Sequence, residues 1–556
     1  MRHLWPLCAV LCTVFQAVWA DETNSARFDW FQYQGEDDVF AQPLQAGHYR
    51  NPVLAGFFPD PSITRKGDDF YLVNSSFSYL PGLPILHSKD LVNWQLIGHA
   101  LTRPGQFEFA GAGLSRGIFA PTLRYHNGTF YLITTVVDQG GNFILTATDP
   151  AGPWSDPIWL PEVGGIDPDL FFDEDGKVYI SHNDAPPGEP LYEGHRAIWL
   201  WEFDPVAKKV KPESKRLLVN GGVDIRQKPI WIEGPHLYKH NGWYYLLCAE
   251  GGTADQHSAV IFRSRSLSEP FVPASQNPIL TQRDLAPDRP DPITTAGHAD
   301  FIQLDDGSWW AVFLATRTYQ QRLSNLGRET YLLPVHWQDG WPQILPKGQS
   351  IPYQLAGPVS LKPQPVAVPQ TGNLQWRDEF SATRLDLNWH WLRQFDLSWL
   401  QLKEGVLALQ AKADRLEGQG QPAFIGRRLQ HINFNASTGF SLPGAGRSAG
   451  LVLLQSELYH YYLGARRNGT GTELFLEQAK GAKAKVLSSQ ELAGQITGLQ
   501  FKVAGAGARL WFYYRLPGQD WQPLGPVQDG TLLSTQVAGG FVGTTLGLYS
   551  RLEQTP

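Results

Sequence analysis

The sequence predicts an all-β protein, a five-bladed β-propeller followed by a β-sandwich. A turn glycine followed by aromatic and β-branched residues occurs five times, and this pattern is typical of a hairpin that leads into a strand. The copies recur at roughly 50 to 65 residues, which is the length of one four-stranded blade. They are GDDFYLV from Gly67, NGTFYLI from Asn127, DGKVYIS from Asp175, NGWYYLL from Asn241 and DGSWWAV from Asp306.

The distribution of prolines and of alternating strands divides the chain. The five copies place the propeller at residues 48–350. Prolines crowd residues 351–372, and this stretch is predicted to be an extended linker because proline fits neither a helix interior nor a central strand. Alternating runs separated by turns then predict the β-sandwich over residues 373–556, for example GVLALQAK from Gly405 and RLWFYYRL from Arg509.

Residues 1–20 have the features of a secretory signal peptide. They carry an early Arg2, an apolar core over residues 7–18 and the small residue Ala20. The core is too short for a membrane span, and a buried strand or an uncleaved anchor is the alternative interpretation. The protein is therefore expected to be secreted or periplasmic. Cys248 is then the one cysteine of the mature chain, so no intramolecular disulfide is expected.

The composition limits the kind of partner. The formal net charge is -7, and the charges form no long acidic or basic run. A basic surface for nucleic acid is therefore not expected. With 42% hydrophobic and only 18% charged residues, the chain is predicted to be well packed and to bind a neutral ligand.

The repeats also share a register that points to one site. Nine residues before the turn glycine, four of the copies carry Phe119, Asp167, Glu233 and His298. In the first copy the aromatic pair Phe70-Tyr71 sets the register, and Asp60 falls within one residue of the same place. Because equivalent positions of successive blades form a ring around the propeller axis, these five side chains are predicted to line a central pocket.

Three carboxylates are therefore expected to face one another. Burying Asp60, Asp167 and Glu233 together costs several kcal/mol unless charge sharing or a ligand compensates, so such a cluster is usually functional. Cleavage of a glycosidic bond needs one protonated and one ionised carboxyl group, which this cluster supplies. The alternative is structural, with turn-forming Asp-Pro pairs, a strand-edge glutamate and a core histidine at His298.

Several runs resemble a known family, the glycoside hydrolase family 43 of β-xylosidases and α-L-arabinofuranosidases. The segment from residue 373 resembles the concanavalin-like C-terminal sandwich of that family, as in RRLQHINFNASTGF and AGLVLLQSELYHYYLG. The propeller runs that carry the resemblance are GFFPDPSITRKGDDFYLVNSSF, GIFAPTLRYHNGTFYLI, GIDPDLFFDEDG, IEGPHLYKHNGWYYLLCAEGGT and GRETYLLPV.

The resemblance implies roles for the three carboxylates. Asp60 would be the general base, Glu233 the general acid, and Asp167 the residue that orients the acid and raises its pKa. It also implies an inverting single displacement, in which Asp60 activates a water molecule on the face opposite the leaving group.

The resemblance also implies residues that bind the sugar. Arg328 in LGRETYL would contact substrate, and Phe77 and Phe119 would line the pocket. His298 would lie near the pocket centre, where some members hold a structural calcium ion, and its contact with such an ion would pass through a water molecule. No cofactor is expected for catalysis.

The implied function is exo-acting removal of terminal β-D-xylosyl residues from xylo-oligosaccharides or arabinoxylan fragments. An α-L-arabinofuranosidase is the alternative within the same class. A non-catalytic, sugar-binding propeller is the alternative from a different class. The sandwich is expected to close the pocket, although it could instead be an independent carbohydrate-binding module.

Overall fold

The computed structural model describes residues 24–107, 109–320, 322–494 and 496–553. The signal peptide expected at residues 1–20 lies outside this part of the chain. Across these ranges no helix is long and apolar enough to cross a membrane. The described helices are the short α-helix Thr535–Ala538 and the 3₁₀ turns Asp38–Phe40, Pro212–Ser214, Ile225–Gln227 and Gly530–Leu533.

Five antiparallel sheets form the propeller, so the predicted fold class is confirmed. Blade 1 contains Ser62–Lys66, Asp69–Val73, Gly82–Ser88 and Gln95–Leu101. Blade 2 contains Gly117–Ile118, Thr122–His126, Thr129–Val137, Gly141–Ala147 and Ile158–Trp159. Blade 3 contains Ile166–Phe172, Val178–Asp184, Ala197–Asp204, Lys209–Val210 and Arg216–Asn220. Blade 4 contains Glu233–His240, Trp243–Glu250, Ser258–Ser264, Val272–Pro273 and Leu280–Thr281. Blade 5 contains Ile293–Gln303, Trp309–Arg317, Glu329–Gln338 and Trp341–Gln343.

The repeated turn pattern forms the first hairpin of each blade. Gly128 and Gly307 each have a φ of 83°, a left-handed conformation that glycine adopts without steric cost. Apolar side chains fill the space between blades. Leu72 of blade 1 packs with Val312 and Leu332 of blade 5, so the ring is closed between its first and last blades.

A ring of polar side chains, here named the axial ring, crosses the propeller axis. Each blade contributes one residue from its innermost strand: Ser62, Arg124, Asp169, His236 and Asp300. The Arg124 guanidinium donates to Asp169 at 2.7 Å and to Asp300 at 2.8 Å. Ser62 donates to Asp300 at 2.7 Å, and His236 Nδ1 lies 3.0 Å from the guanidinium. Both carboxylates are fully buried, and the guanidinium between them compensates their charge.

Two sheets form the sandwich. One contains Ser25–Gly35, Leu374–Asp378, Leu400–Lys403, Val406–Gln410, Asn433–Ser441, Leu499–Ala506, Arg509–Arg515, Gln522–Pro523 and Gln528–Asp529. The other contains Ala423–Arg428, Arg447–Ser456, Tyr459–Asn468, Gly471–Lys480, Lys485–Leu492 and Thr545–Leu552. Their inner faces bury a continuous apolar core that includes Phe440, Leu463 and Phe501.

The sandwich includes a strand from outside the predicted range 373–556. Ser25–Gly35 lies in the interior of the first sheet and pairs with both Val406–Gln410 and Asn433–Ser441. The range 351–372 also contains a strand, since Gln354–Ala356 pairs with His48–Arg50. Both strands pair with segments that are remote in sequence, and a local sequence pattern cannot predict such pairing.

The two domains share backbone hydrogen bonds. Trp391–Leu392 of the sandwich segment pairs with Tyr79–Leu80, which follows the second strand of blade 1. Arg428 donates from Nε to the Phe57 carbonyl oxygen at 2.6 Å. These contacts hold the sandwich against the end of the propeller where the innermost strands begin.

Candidate active site

A pocket of about 340 Å³ lies at the end of the axis where the innermost strands begin. The structure brings all the predicted site residues to this pocket: Asp60, Phe77, Phe119, Asp167, Glu233, His298 and Arg328. The remaining lining residues are Arg116, Ala120, Ile166, Trp231, Gly252, Thr253 and Phe541.

The site residues lie where the innermost strands depart from regular pairing. The register shifts around Asp167, immediately after Glu233 and around His298. Asp60, Asp167 and His298 have φ values of 51°, 54° and 51°. Such left-handed residues cost about 1–3 kcal/mol each, and here three of them lie together in one pocket. The bulges turn these side chains toward the axis.

Asp60 is fixed by two neighbours. Arg328 Nη1 donates to Asp60 Oδ1 at 2.8 Å, and the Ser75 hydroxyl donates to Oδ2 at 2.6 Å. Burial of Asp60 opposes ionisation, but the charge of Arg328 and the Ser75 hydrogen bond outweigh burial and lower the pKa below its ordinary 3.8. The Asp60 carboxylate is therefore ionised at neutral pH.

Glu233 and Asp167 are in the opposite electrostatic situation. Burial and the negative charge of Asp60 raise the pKa of Glu233 to about 7. Burial and the charges of Glu233 and Asp60 also raise the pKa of Asp167 well above its ordinary value. The Gly234 N–H donates to Asp167 at 3.2 Å, and no described group donates to the Glu233 carboxyl. The pair therefore keeps a proton near neutral pH.

Aromatic rings from both domains form one wall of the pocket. Phe541, from the sandwich, stacks on Phe77 with ring centroids 6.0 Å apart. It also meets Phe119 edge-on at 5.7 Å. The Arg328 guanidinium lies 5.8 Å from the Phe541 ring centroid. The wall places the Arg328 guanidinium beside apolar surface in the pocket.

Two glycines permit a close approach between the domains at this wall. A Cβ atom on Gly543 would lie 2.3 Å from the Leu326 carbonyl oxygen, and one on Gly327 would lie 2.8 Å from Gly543 Cα. Thr544 N also donates to the Asn325 carbonyl oxygen at 2.8 Å. The segment that carries Phe541 is thus seated directly on the segment that carries Arg328.

His298 is buried beside Asp60, with Nδ1 3.9 Å from Asp60 Oδ1. Burial lowers the pKa of His298 to about 4, so the imidazole is neutral. Among the described residues, no group of three His, Cys, Asp or Glu side chains could hold a metal ion. Calcium takes six to eight oxygen ligands, whereas Asp60 is already bound by Arg328 and Ser75. These residues do not fit a directly ligated calcium ion, and calcium bound through water stays a prediction.

The sequence analysis missed Ser75 and the seven remaining lining residues, and three of these eight illustrate why. Ser75 stands in the NSSF run, yet nothing in the sequence marks its hydroxyl as a partner of Asp60. Trp231 precedes Glu233 by two residues, and the Arg196 guanidinium lies 4.9 Å from its ring centroid. Phe541 lies in the glycine-rich run AGGFVGTT, which gives no signal for a pocket residue.

Comparison with known proteins agrees with this geometry. Residues 49–342 match the model of glycosyl hydrolases family 43. Residues 377–555 match the beta xylosidase C-terminal concanavalin A-like domain. The fold and the family match define a glycosidase. The chain belongs to glycoside hydrolase family 43, a family of inverting glycoside hydrolases.

Individual relatives extend over nearly the whole chain. A xylosidase/arabinosidase of Butyrivibrio fibrisolvens is 39% identical over 507 residues, covering 90% of this chain and 95% of the relative. A non-reducing end α-L-arabinofuranosidase of Bacteroides ovatus is 36% identical over 519 residues, covering 90% and 91%. The crystal structure of a GH43_12 protein from a capybara gut metagenome has a TM-score of 0.88 at 38% identity, covering 95% and 100%. A xylan β-1,4-xylosidase from Bacillus halodurans has a TM-score of 0.81 at 32% identity, covering 90% and 96%.

Proposed function

We propose that this glycosidase removes terminal β-D-xylosyl residues from xylo-oligosaccharides and arabinoxylan fragments. Terminal α-L-arabinofuranosyl residues are the alternative substrate, since relatives that bear the names of both activities cover the chain to a similar extent. The observation that carries the proposal is the opposite pKa shift of Asp60 and Glu233 within one pocket.

Each carboxyl group has a distinct role in the proposed reaction. Ionised Asp60 accepts a proton from a water molecule, whose oxygen attacks the anomeric carbon. Glu233 donates its proton to the glycosidic oxygen as the bond between that oxygen and the anomeric carbon breaks. Asp167 is the positioning residue for Glu233, and because the two buried carboxyl groups are close together, each favours a proton on the pair.

The shape of the pocket supports exo action. Phe77 and Phe119 of the propeller and Phe541 of the sandwich enclose one side of a cavity of about 340 Å³. A pocket of this size with one side walled off favours binding the end of a sugar chain, whereas an endo-acting enzyme needs a cleft open at both ends. Hydrolysis of a xylo-oligosaccharide is expected to release xylose alone, one residue at a time.

The test compares aryl β-D-xyloside and aryl α-L-arabinofuranoside as substrates for the wild type, Asp60→Asn and Glu233→Gln. The better substrate of the wild type identifies the preferred sugar. Asp60→Asn is expected to lose at least about a hundredfold in kcat on all substrates. Glu233→Gln is expected to lose less on an aryl glycoside with a good leaving group than on xylobiose, because only xylobiose needs a proton on its leaving oxygen.

Two controls accompany the test. Glu250→Gln replaces a carboxyl group of blade 4 that does not line the pocket, and its activity is expected to remain at the wild-type level. The first sugar released from a β-xyloside should be the α-anomer, as inversion requires. Sugar binding without turnover of any substrate would contradict the proposal and favour a non-catalytic propeller.

We also propose that the enzyme is exported, on the basis of the signal-like residues 1–20. Expression of the full chain in a bacterial host should yield a mature protein that starts near Asp21. N-terminal sequencing of the periplasmic and extracellular fractions measures this directly. An intact N-terminus on the accumulated protein would contradict export by cleavage.

A further inference from the structure

Another cavity shares no lining residue with the active-site pocket. Its volume is about 410 Å³, and it is bounded by the outermost strand of blade 1, the linker and the sandwich. We name it the linker groove. The residues that matter for its chemistry are Gln370, Trp376, Asp386, Asn388 and Arg427. A smaller pocket adjoins it and shares Gln370, Asn388 and Arg427, so the groove continues along this surface.

Two polar side chains of the linker groove keep hydrogen-bonding capacity that no other described residue uses. Gln370 is only 7% exposed, and its side-chain amide forms no hydrogen bond with any described residue. The Arg427 guanidinium stacks on Trp376, 3.7 Å from its ring centroid. Its Nη1 forms an ion pair with Asp386 Oδ1 at 3.7 Å, and within the described chain the guanidinium donates no hydrogen bond. The polar atoms of Gln370 and Arg427 are not sealed from solvent, so these donors and acceptors are open to a ligand or to water in the groove.

The charges that line the groove indicate a neutral ligand. Arg377 and Arg427 contribute two positive charges, and Asp378 and Asp386 contribute two negative charges. An anion that approached Arg427 would meet both carboxylates. A ligand with polar groups but no net charge, in contrast, would find donors and acceptors side by side. The side-chain amides that line the groove offer both.

Sugar hydroxyls have this dual character. Asn388 donates to Asp386 at 2.9 Å and keeps its amide oxygen for another partner. Gln370 adds a complete amide, and Arg427 adds several N–H donors held in place by the Trp376 ring. The groove thus offers a set of fixed donors and acceptors to a chain of hydroxyl groups.

We propose that the linker groove is a second binding site for a neutral oligosaccharide chain, separate from the hydrolytic pocket. We take this chain to be arabinoxylan, and that choice rests on the proposed function. A second attachment point would hold a polysaccharide near the enzyme between successive cuts and raise the local concentration of chain ends.

The experiment is affinity electrophoresis through gels that contain soluble arabinoxylan, arabinan or xyloglucan, with polygalacturonate as an acidic comparison. All proteins carry Glu233→Gln, so that the polysaccharide is not consumed. Two variants address the groove in different ways: Gln370→Ala removes the unpaired amide, and Ala367→Trp fills the groove from an exposed linker position. Gln375→Ala is the matched control, since this exposed glutamine next to Trp376 does not line the groove.

We expect a neutral polysaccharide to retard the parent protein and the Gln375→Ala control equally. Gln370→Ala should weaken binding about three- to tenfold, as expected for loss of neutral hydrogen bonds, and Ala367→Trp should abolish the binding that depends on the groove. The proposal is overturned if both groove variants are retarded like the parent, if no neutral polysaccharide retards the parent, or if only polygalacturonate does.

Failure of the proposed function would look different. With Glu233 restored, Gln370→Ala and Ala367→Trp are expected to hydrolyse the aryl glycosides at the wild-type rate. If the wild type hydrolyses neither aryl glycoside, the proposed substrate class is contradicted. Retardation of the parent by a neutral polysaccharide, lost in the groove variants, would still report the second site.

Discussion

Arg328 donates hydrogen bonds to both carboxylate oxygens of Asp60, at 2.8 Å and 3.4 Å. The pairing has two effects. It fixes the orientation of the carboxylate in a left-handed backbone position, and it keeps the carboxylate ionised despite burial. A residue predicted to bind the sugar therefore also controls the charge of the proposed base.

Replacement of Arg328 should shift the acidic limb of the pH profile of kcat/KM. The proposed base works only when ionised, so activity appears as the pH rises through the pKa of Asp60. Arg328→Gln removes the positive charge that lowers this pKa, and the acidic limb should move up by about one to three pH units. Arg328→Lys keeps the charge and should move it less. An unchanged limb in Arg328→Gln would show that another group sets it.

Asp167→Asn should shift the basic limb in the opposite sense. Activity falls as the pH rises through the pKa of the proposed acid Glu233, which is about 7. Removal of the neighbouring negative charge makes ionisation of Glu233 easier, so the basic limb should move to lower pH. The measurement is the pH dependence of kcat/KM on a substrate with a poor leaving group. A basic limb at the wild-type position would show that Asp167 does not affect the pKa of Glu233 and only orients it.

Phe541→Ala should weaken substrate binding although the residue belongs to the other domain. The ring covers one side of the pocket and contacts Phe77 and Phe119. Its removal should cost about 1–2 kcal/mol of binding free energy from lost apolar contact with the substrate. KM for the aryl glycoside should therefore rise roughly tenfold. Phe541→Leu preserves most of the apolar wall and is the control. Equal effects of the two variants would argue that ring shape matters more than apolar contact.

Gly543→Ala should lower activity without unfolding the protein. Its Cβ atom would lie 2.3 Å from the Leu326 carbonyl oxygen, so the backbone must move where Phe541 and Arg328 are held. Overpacking of this kind costs about 1–3 kcal/mol, and kcat/KM should fall at least about tenfold. Gly418→Ala is the control, since its nearest neighbour would lie at 3.5 Å. Circular dichroism checks that both variants fold.

Arg124→Met should destabilise the propeller strongly. It leaves the buried carboxylates of Asp169 and Asp300 without their shared guanidinium, which typically costs about 3–5 kcal/mol. Arg65→Met, on the innermost strand of blade 1, breaks an ion pair with the exposed Asp305 and should cost less than about 1 kcal/mol. The midpoints of urea unfolding measure the difference. Similar midpoints would mean that the axial ring contributes little to stability.

The sequence was most informative where a local pattern fixes a register. The turn glycines set the phase of each blade, and that phase placed Asp167, Glu233 and His298 at one end of the axis. The same reasoning could have found the axial ring, because Asp169 and Asp300 each follow a site residue by two positions on the same strand. Bulges could not be read in this way, since they depend on how neighbouring strands pair.

Contacts between remote segments remained beyond sequence reasoning. Phe541 reaches the pocket only because the sandwich docks beside blade 1 and on the blade 5 segment next to Arg328, and no periodicity reports a docking surface. The prolines of residues 351–372 place Gln370 in an extended linker. The burial of Gln370, however, depends on the sandwich residue Arg427 and on blade 1. The pKa values of the carboxyl groups likewise depend on charges such as Arg328 that are distant in the chain.

The interior position of Ser25–Gly35 in the sandwich has a consequence for how the protein is made. This strand leaves the ribosome before any blade, yet Tyr33 pairs with Ala436, which is synthesised after the whole propeller. The first strand must therefore wait unpaired while five blades form. A fragment cut at the linker would fail in both halves, because the sandwich would lack an interior strand and the propeller would carry an unpaired one. The two domains are separate in space but interleaved along the chain, so the sandwich is not built from one uninterrupted segment.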